Sequence, residues 1–365
     1  MSEILEHKSN EFNSEKLTIK RLKDFPSYQN NFITFVTNSI KDNYEEIDQN
    51  FAKRLIEIDK MGFDEYGFFT LGKDIWIVFH NETPIGFEVI TRKRGGSIKL
   101  GPTYLSPEYR GKGFAKEMIE KICDSYIKSG IRKVYVTAPI SNYSTAVLDY
   151  SKLSLKLEAI LCKNYSKSSS ERVCGKIFNV KNSNEKMHVR VKQGSKILIK
   201  IIKNELSKID FETLNDFVCE NMQYYFNDID RTFTKTIVTA SNEENKLIYE
   251  HKGKDSFIGL CDNKIEALIV ATPKRGGNYK VSPFLISDSY LNEANIIKLI
   301  KEVEKGASLL KRRKISIFIP VGEVIIVNTL SSEDYFCEGI LKEPYKENCD
   351  IIVFSKFLGE QEWKL

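Results

Sequence analysis

The sequence predicts an α/β chain of the α+β type in which one strand, hairpin, helix, strand plan is used twice. Three observations lead to this. At 365 residues the chain is long for one hydrophobic core, which favours about two domains. Residues 72–139 align without a gap over residues 253–320 at a constant shift of 181, with roughly a quarter of positions identical, the mark of a duplication. Lastly, a basic, glycine-containing hexapeptide, Arg110-Gly111-Lys112-Gly113-Phe114-Ala115, stands between an extended apolar run and a helical one.

Taken in order, residues 1 to about 15 form a polar tail, and Leu17 to Arg21 alternates as a first strand. Residues 27–62 read as helices, with Phe32, Phe35, Val36 and Ile40 on one apolar face. Strands follow near 75–80, 84–91, 97–105, 133–138, 157–163 and 172–179. Phe114, Met118, Ile119 and Ile122 recur at helical spacing. The pairs Gly95-Gly96 and Gly276-Gly277 separate apolar runs as hairpin turns that need positive φ. Their Lys93-Arg94 and Lys274-Arg275 neighbours read as solvated tips, with contact to an acidic substrate as the alternative. The Ser166–Ser170 run is a hairpin loop. The polar run Lys181 to Lys186 is the linker, dividing the chain into domains 1–182 and 183–365.

Composition narrows the function classes. A formal charge of +5 does not call for a nucleic-acid partner at this length. No run of about 18 apolar residues occurs and the N-terminus is polar, so no membrane partner and a cytoplasmic location are expected. The seven cysteines are scattered and read as reduced thiols. Four histidines in no cluster leave no expected metal.

The hexapeptide opens a helix. Its glycines and alanine let the backbone approach a ligand, the first-turn N–H groups and the dipole face it, and Arg110 and Lys112 suit phosphate. The stretch Leu105 to Gly113 resembles the R-x-x-G-x-G/A signature of the GNAT superfamily of acyl-CoA N-acyltransferases, with Ala115 in the third small position. Downstream, Val134 to Ala138 reads as the next strand, and Ser141 to Tyr150 resembles the family's asparagine-to-tyrosine helix. Ala146 and Tyr150 keep its four-residue step; Asn142 lies one residue early, and Ser154-Leu155 stands where Gly-Phe is usual.

The resemblance implies two tandem GNAT-like domains, each a twisted, mixed, mainly antiparallel sheet flanked by helices. It implies acetyl-CoA as cosubstrate, its diphosphate on Arg110, Gly111, Lys112, Gly113, Phe114 and Ala115, its pantetheine arm along Thr103, Tyr104 and Leu105, and Asn142 beside it. Lys99 and Lys116 are candidates for the 3′-phosphate. Tyr150 is the implied acid that protonates the leaving thiolate, with Tyr104 as a substitute. An alkylamine of pKa about 10.4 is neutral at pH 7 in roughly one molecule in 2,500, a penalty of about 4.6 kcal/mol, so a general base is expected. Glu88, Glu108 and His80 are the candidates, and the sequence does not choose between them.

Under the shift of 181, Arg110–Ala115 becomes Leu291-Asn292-Glu293-Ala294-Asn295-Ile296, without glycine or cation, and Tyr150 becomes Ser331. The second half therefore reads as a GNAT-like fold without the chemistry. The expected activity is transfer of an acetyl group from acetyl-CoA to a primary amine of a small molecule or peptide. The alternatives are a Fem-like aminoacyl-tRNA-dependent transferase and a non-catalytic acyl-CoA-binding regulatory module. The acceptor is not named by the sequence; Asn227-Asp228-Ile229-Asp230 and Glu243-Glu244 either face a cationic acceptor or form solvated loops. The chain is expected to act as a monomer or homodimer.

Overall fold

The structure, a computed structural model, describes residues 17–41, 50–65, 67, 69–140, 153–164, 169–179, 187–195, 197–226, 229–241 and 253–359. The polar tail, the linker at 181–186, Asn142, Tyr150, Asn227, Asp228, Glu243 and Glu244 lie outside these residues.

The described strands form one continuous sheet of mixed, mostly antiparallel pairing. The first half supplies β1 (Leu17–Arg21), β2 (Thr70–His80), β3 (Thr83–Lys93), β4 (Ser97–Leu105), β5 (Lys133–Pro139), β6 (Lys156–Leu161) and β7 (Glu171–Ile177). The second supplies β8 (Lys200–Lys203), β9 (Asp255–Cys261), β10 (Lys264–Pro273), β11 (Asn278–Ile286), β12 (Lys314–Pro320), β13 (Phe336–Leu341) and β14 (Ile351–Phe357). The spatial order β1-β2-β3-β4-β5-β7-β6 meets β13-β14-β12-β11-β10-β9-β8, so one order occurs twice, the second time reversed. The shift of 181 carries the first residues of β3, β4 and β5 onto those of β10, β11 and β12. β2 begins earlier than its apolar run suggests because its pairing with β3 continues to Thr70 and Lys93.

Helices cover both faces. In the first half α1 (Gln29–Lys41) and α2 (Phe51–Met61) pack Phe32, Val36, Leu55 and Ile56 on Ile75, Ile77, Phe87 and Val89. On the other face α3 (Phe114–Lys128) sets Met118, Ile119 and Ile122 against Ile90, Ile98, Leu100 and Val134. In the second half α4 (Phe211–Met222) and α5 (Arg231–Ser241) hold the first position, while α6 (Glu293–Leu309) and α7 (Val324–Ser332) hold the second.

The halves join at a β6–β13 contact, where Ala159 faces Gly339, and share a hydrophobic cluster reaching from Leu161 and Val173 to Phe226, Phe318 and Tyr345. Two buried ion pairs related by the repeat flank this seam. Lys133 Nζ lies 2.7 Å from Glu158 and also donates to the Lys342 carbonyl; Lys314 Nζ lies 2.6 Å from Glu338 and donates to the Cys162 carbonyl.

The Gly95-Gly96 hairpin is a turn with both glycines at positive φ, as expected, but it is not a solvated tip. A Cβ on Gly95 would stand 1.4 Å from the Tyr345 carbonyl oxygen, Ser97 Oγ donates to the Pro344 carbonyl at 2.8 Å, and Arg94 reaches Thr232 at 3.0 Å. The turn is a joint between the halves, which its local sequence does not reveal.

Candidate active site

The site is built where β4 runs into α3. Parallel pairing of β4 with β5 extends only from Ser97 opposite Lys133 to Leu100 opposite Val136. Beyond that the two strands separate. Residues Thr103 to Leu105 remain bonded to β3 on one side and, among the described strands, have none on the other, leaving main-chain groups to pair with a ligand. Leu105 and Tyr104 are buried on opposite faces and Thr103 is exposed.

Glu88 holds the edge in shape. Fully buried, its carboxyl accepts from Gly101 N at 2.8 Å and pairs with Thr103 Oγ1 at 2.5 Å. Burial pushes its pKa up to about 8, against the lowering effect of these two bonds. Glu108 lies exposed on the turn Pro107–Tyr109. His80 packs its ring against Tyr109 and Phe114, centroids 5.5 and 5.0 Å away, under the loop.

In the loop, Gly111 and Gly113 have φ of 75° and 83°, and a Cβ at either would meet nothing within 4 Å. Backbone conformation, not crowding, requires glycine here. Gly113 begins α3 with no side-chain cap, and the first helical bond is Glu117 N to Gly113 O. The amides of Phe114, Ala115 and Lys116 thus precede the helical ladder and present an anion-binding end. Arg110 and Lys112 are exposed beside them; Arg110 Nε anchors on the Leu105 carbonyl at 2.9 Å. Lys116 is exposed on the first turn. Lys99 is elsewhere: Ile98 and Leu100 face α3, while Lys99 points through the other face into a cavity between the halves.

The corresponding place in the second half is filled. β11 and β12 part after Val281 opposite Ile317. There residues 187–195 and 197–199 cross the turn. Gly194 N donates to Leu291 O at 2.7 Å, Ser195 N to Ser289 O at 2.6 Å, and Arg190 N to Gly322 O at 2.8 Å. A Cβ on Gly194 would lie 2.5 Å from two carbonyl oxygens, so the contact is close. The Ile286 carbonyl, equivalent to that of Leu105, accepts from Arg190 Nη1 at 2.8 Å. Asn292 caps α6 by accepting from Asn295 N, and Asn295 is tied to Ile197 and Ile199. No part of this plug falls inside the repeat, so sequence reading missed it.

A sheet opening between two parallel strands, beside a basic and uncapped helix N-terminus, can receive an extended ligand with an anionic group at its end. Residues 37–148 match the model of the acetyltransferase (GNAT) family, so the chain carries a GNAT acetyltransferase domain over that stretch. No curated protein sequence matches the chain. Among solved structures, the chain is similar to an N-acetyltransferase from Staphylococcus aureus Mu50 (15% identity, 45% of this chain and 99% of that one, TM-score 0.37). It is also similar to a Salmonella typhimurium acetyltransferase that modifies the N-terminal serine of ribosomal protein L7/L12 (12%, 46% and 97%, TM-score 0.36). A putative acetyltransferase from Salmonella typhimurium, solved with acetyl-CoA, gives 11% identity over 46% and 98% of the chains at TM-score 0.37. Among the described residues no helix is long and apolar enough to cross a membrane.

Proposed function

We propose that the protein is an acetyl-CoA-dependent N-acetyltransferase that moves an acetyl group directly to a primary amine, with one working coenzyme site per chain. In this reading residues 1–182 are the catalytic domain and residues 183–365 a degenerate partner of related fold, and the enzyme is cytoplasmic. The observation that carries it is the contrast between two equivalent turns. One has an uncapped helix end, two cations and an open strand edge; the other is capped by Asn292 and covered by the segment around Arg190.

Acetyl-CoA would supply the activated thioester. Its diphosphate would lie on the amides of Gly111 to Ala115 with Arg110 and Lys112, and its arm along Thr103 to Leu105, with Asn142 alongside. Glu88, whose pKa burial raises to about 8 and which touches the strand edge, and Glu108, a carboxylate beside the loop, are the groups proposed to relieve the amine of its proton, directly or through water. Tyr150 is proposed to protonate the leaving thiolate.

Calorimetric titration of acetyl-CoA into the wild-type chain and a Gly113→Glu variant tests the reading. The substitution places a carboxylate on a backbone of φ 83° at the helix end, where it repels phosphate. One binding event per chain, lost in the variant, is expected. Two events, or one that survives the substitution, would rule out a single site in the first half.

A further inference from the structure

A cavity of about 530 Å³ lies between the halves, on the face of the sheet opposite α3. Six of its lysines come in pairs related by the shift of 181: Lys73 and Lys254, Lys93 and Lys274, Lys99 and Lys280. Each half thus sends the same three cations into one space. With Lys133, seven lysines line the cavity against three carboxylates, Asp64, Glu158 and Glu171, an excess of four positive charges when all are ionised. Glu158 is engaged by Lys133 at 2.7 Å, and Glu171 accepts from the Asn164 amide.

Structural lysines in this protein look different. Lys133 and Lys314 are each buried against one carboxylate and one carbonyl. The cavity lysines are engaged otherwise: Lys93 donates to Thr70 Oγ1 at 2.8 Å, Lys280 lies 4.0 Å from the Phe318 ring centroid, and Asp64 and Glu171 act on Lys73 and Lys99 through space. Burial pushes Lys254 and Lys280 down to about 7, with Lys274 adding to both. Lys93 is pushed well down by burial, then by Lys73, Lys280, Lys99 and Lys274. Gathering like charges in a desolvated space opposes folding, and a bound anion reverses the sign of that interaction. The volume is that of a small-molecule site, and Phe69, Tyr135, Phe318 and Tyr345 give it aromatic wall.

We infer that the cavity between the halves is a binding site for a compact small molecule carrying several phosphate groups, held by the repeat-related lysines of both halves. Lysine serves phosphate as a mobile point charge, which suits a ligand whose groups splay toward two opposed sets of cations. The site is separate from the coenzyme loop and does not depend on the acetyltransferase reading.

Sodium tripolyphosphate is the probe, titrated calorimetrically into the full chain with and without saturating acetyl-CoA. Expected are one site per chain, affinity falling with added salt, no displacement by acetyl-CoA, and at least a tenfold loss in Lys254→Met/Lys280→Met. Ligand-free, this variant should melt above the wild type, because two repelling charges are gone; a purely structural cluster would give a lower melting temperature. A Lys93→Gln variant, expected to weaken binding as well, covers failure of the double variant to fold. No binding by the wild type, displacement by acetyl-CoA, or unchanged affinity in the variants would overturn the inference.

Discussion

Replacing Arg190 by methionine should unsettle the second half without creating a second coenzyme site. The Arg190 guanidinium is 7% exposed and Glu323 beneath it 2%. Nε donates to both Glu323 oxygens at 2.9 and 2.8 Å, Nη2 lies 2.7 Å from Oε2, and Nη1 serves the Ile286 carbonyl and Asp288 at 2.8 and 2.7 Å. The substitution strands the buried Glu323 carboxylate, a loss of about 3–5 kcal/mol at neutral pH. Burial already raises the Glu323 pKa while Arg190 pulls it down; without Arg190 it rises further. The folded variant then holds a proton that the unfolded chain has released, so its stability falls as pH climbs above the unfolded carboxylate value. Urea unfolding of wild type and variant at pH 5 and pH 8 measures this. The deficit should be smaller at pH 5, where protonation neutralises Glu323, and Arg190→Met/Glu323→Leu should recover most of it at pH 8. A deficit under about 1 kcal/mol at pH 8, or one independent of pH, would refute the description of this pair as a desolvated lock.

Two further expectations concern the first half. Glu88, with its pKa raised to about 8, binds a proton in the folded state that the unfolded chain loses above its ordinary carboxylate range, so its presence lowers stability as pH rises from there through 8. Glu88→Gln keeps an acceptor for Gly101 N and should therefore have a higher urea midpoint than wild type at pH 9 and a similar one at pH 4.5, whereas a lower midpoint at both would show that the charge itself holds the strand. Tyr150→Phe should lower turnover at saturating acetyl-CoA by ten- to a thousandfold while leaving coenzyme affinity within about threefold; equal losses in the two would make the phenol structural.

Much of the architecture is legible in the chain because its signals are local. The strand expected at 97–105 occurs at Ser97–Leu105, and glycine at positive φ explains both the hairpin and the phosphate-type loop. What escaped depends on contacts across long stretches of chain. Lys93 and Lys99 look like solvated or phosphate-facing cations until the other half closes over them. Ser97 and Pro344 are 247 residues apart, and no spacing rule joins them. The plug at 187–195 and 197–199 is coil whose role is set by the turn it covers. The repeat itself carries a signal for the cavity, because Lys73, Lys93 and Lys99 recur at one shift as Lys254, Lys274 and Lys280.

The distribution of those recurrences bears on how a doubled sheet divides its work. Positions alike under the shift include Lys73, Lys93 and Lys99, which line the shared cavity, and Gly95, Arg132 and Lys133, which touch the other half. Positions that differ include the whole stretch from Arg110 to Ala115, where each half faces its own surroundings. A residue at the seam touches the other half, so a change on one side disturbs the other. A residue at the outer turn has no such counterpart, and the second turn is covered by Arg190 and capped by Asn292. The proposed one-sided coenzyme site and the proposed two-sided anion site then follow from the same geometry. They can be separated experimentally, since Gly113→Glu acts on the first and Lys280→Met on the second.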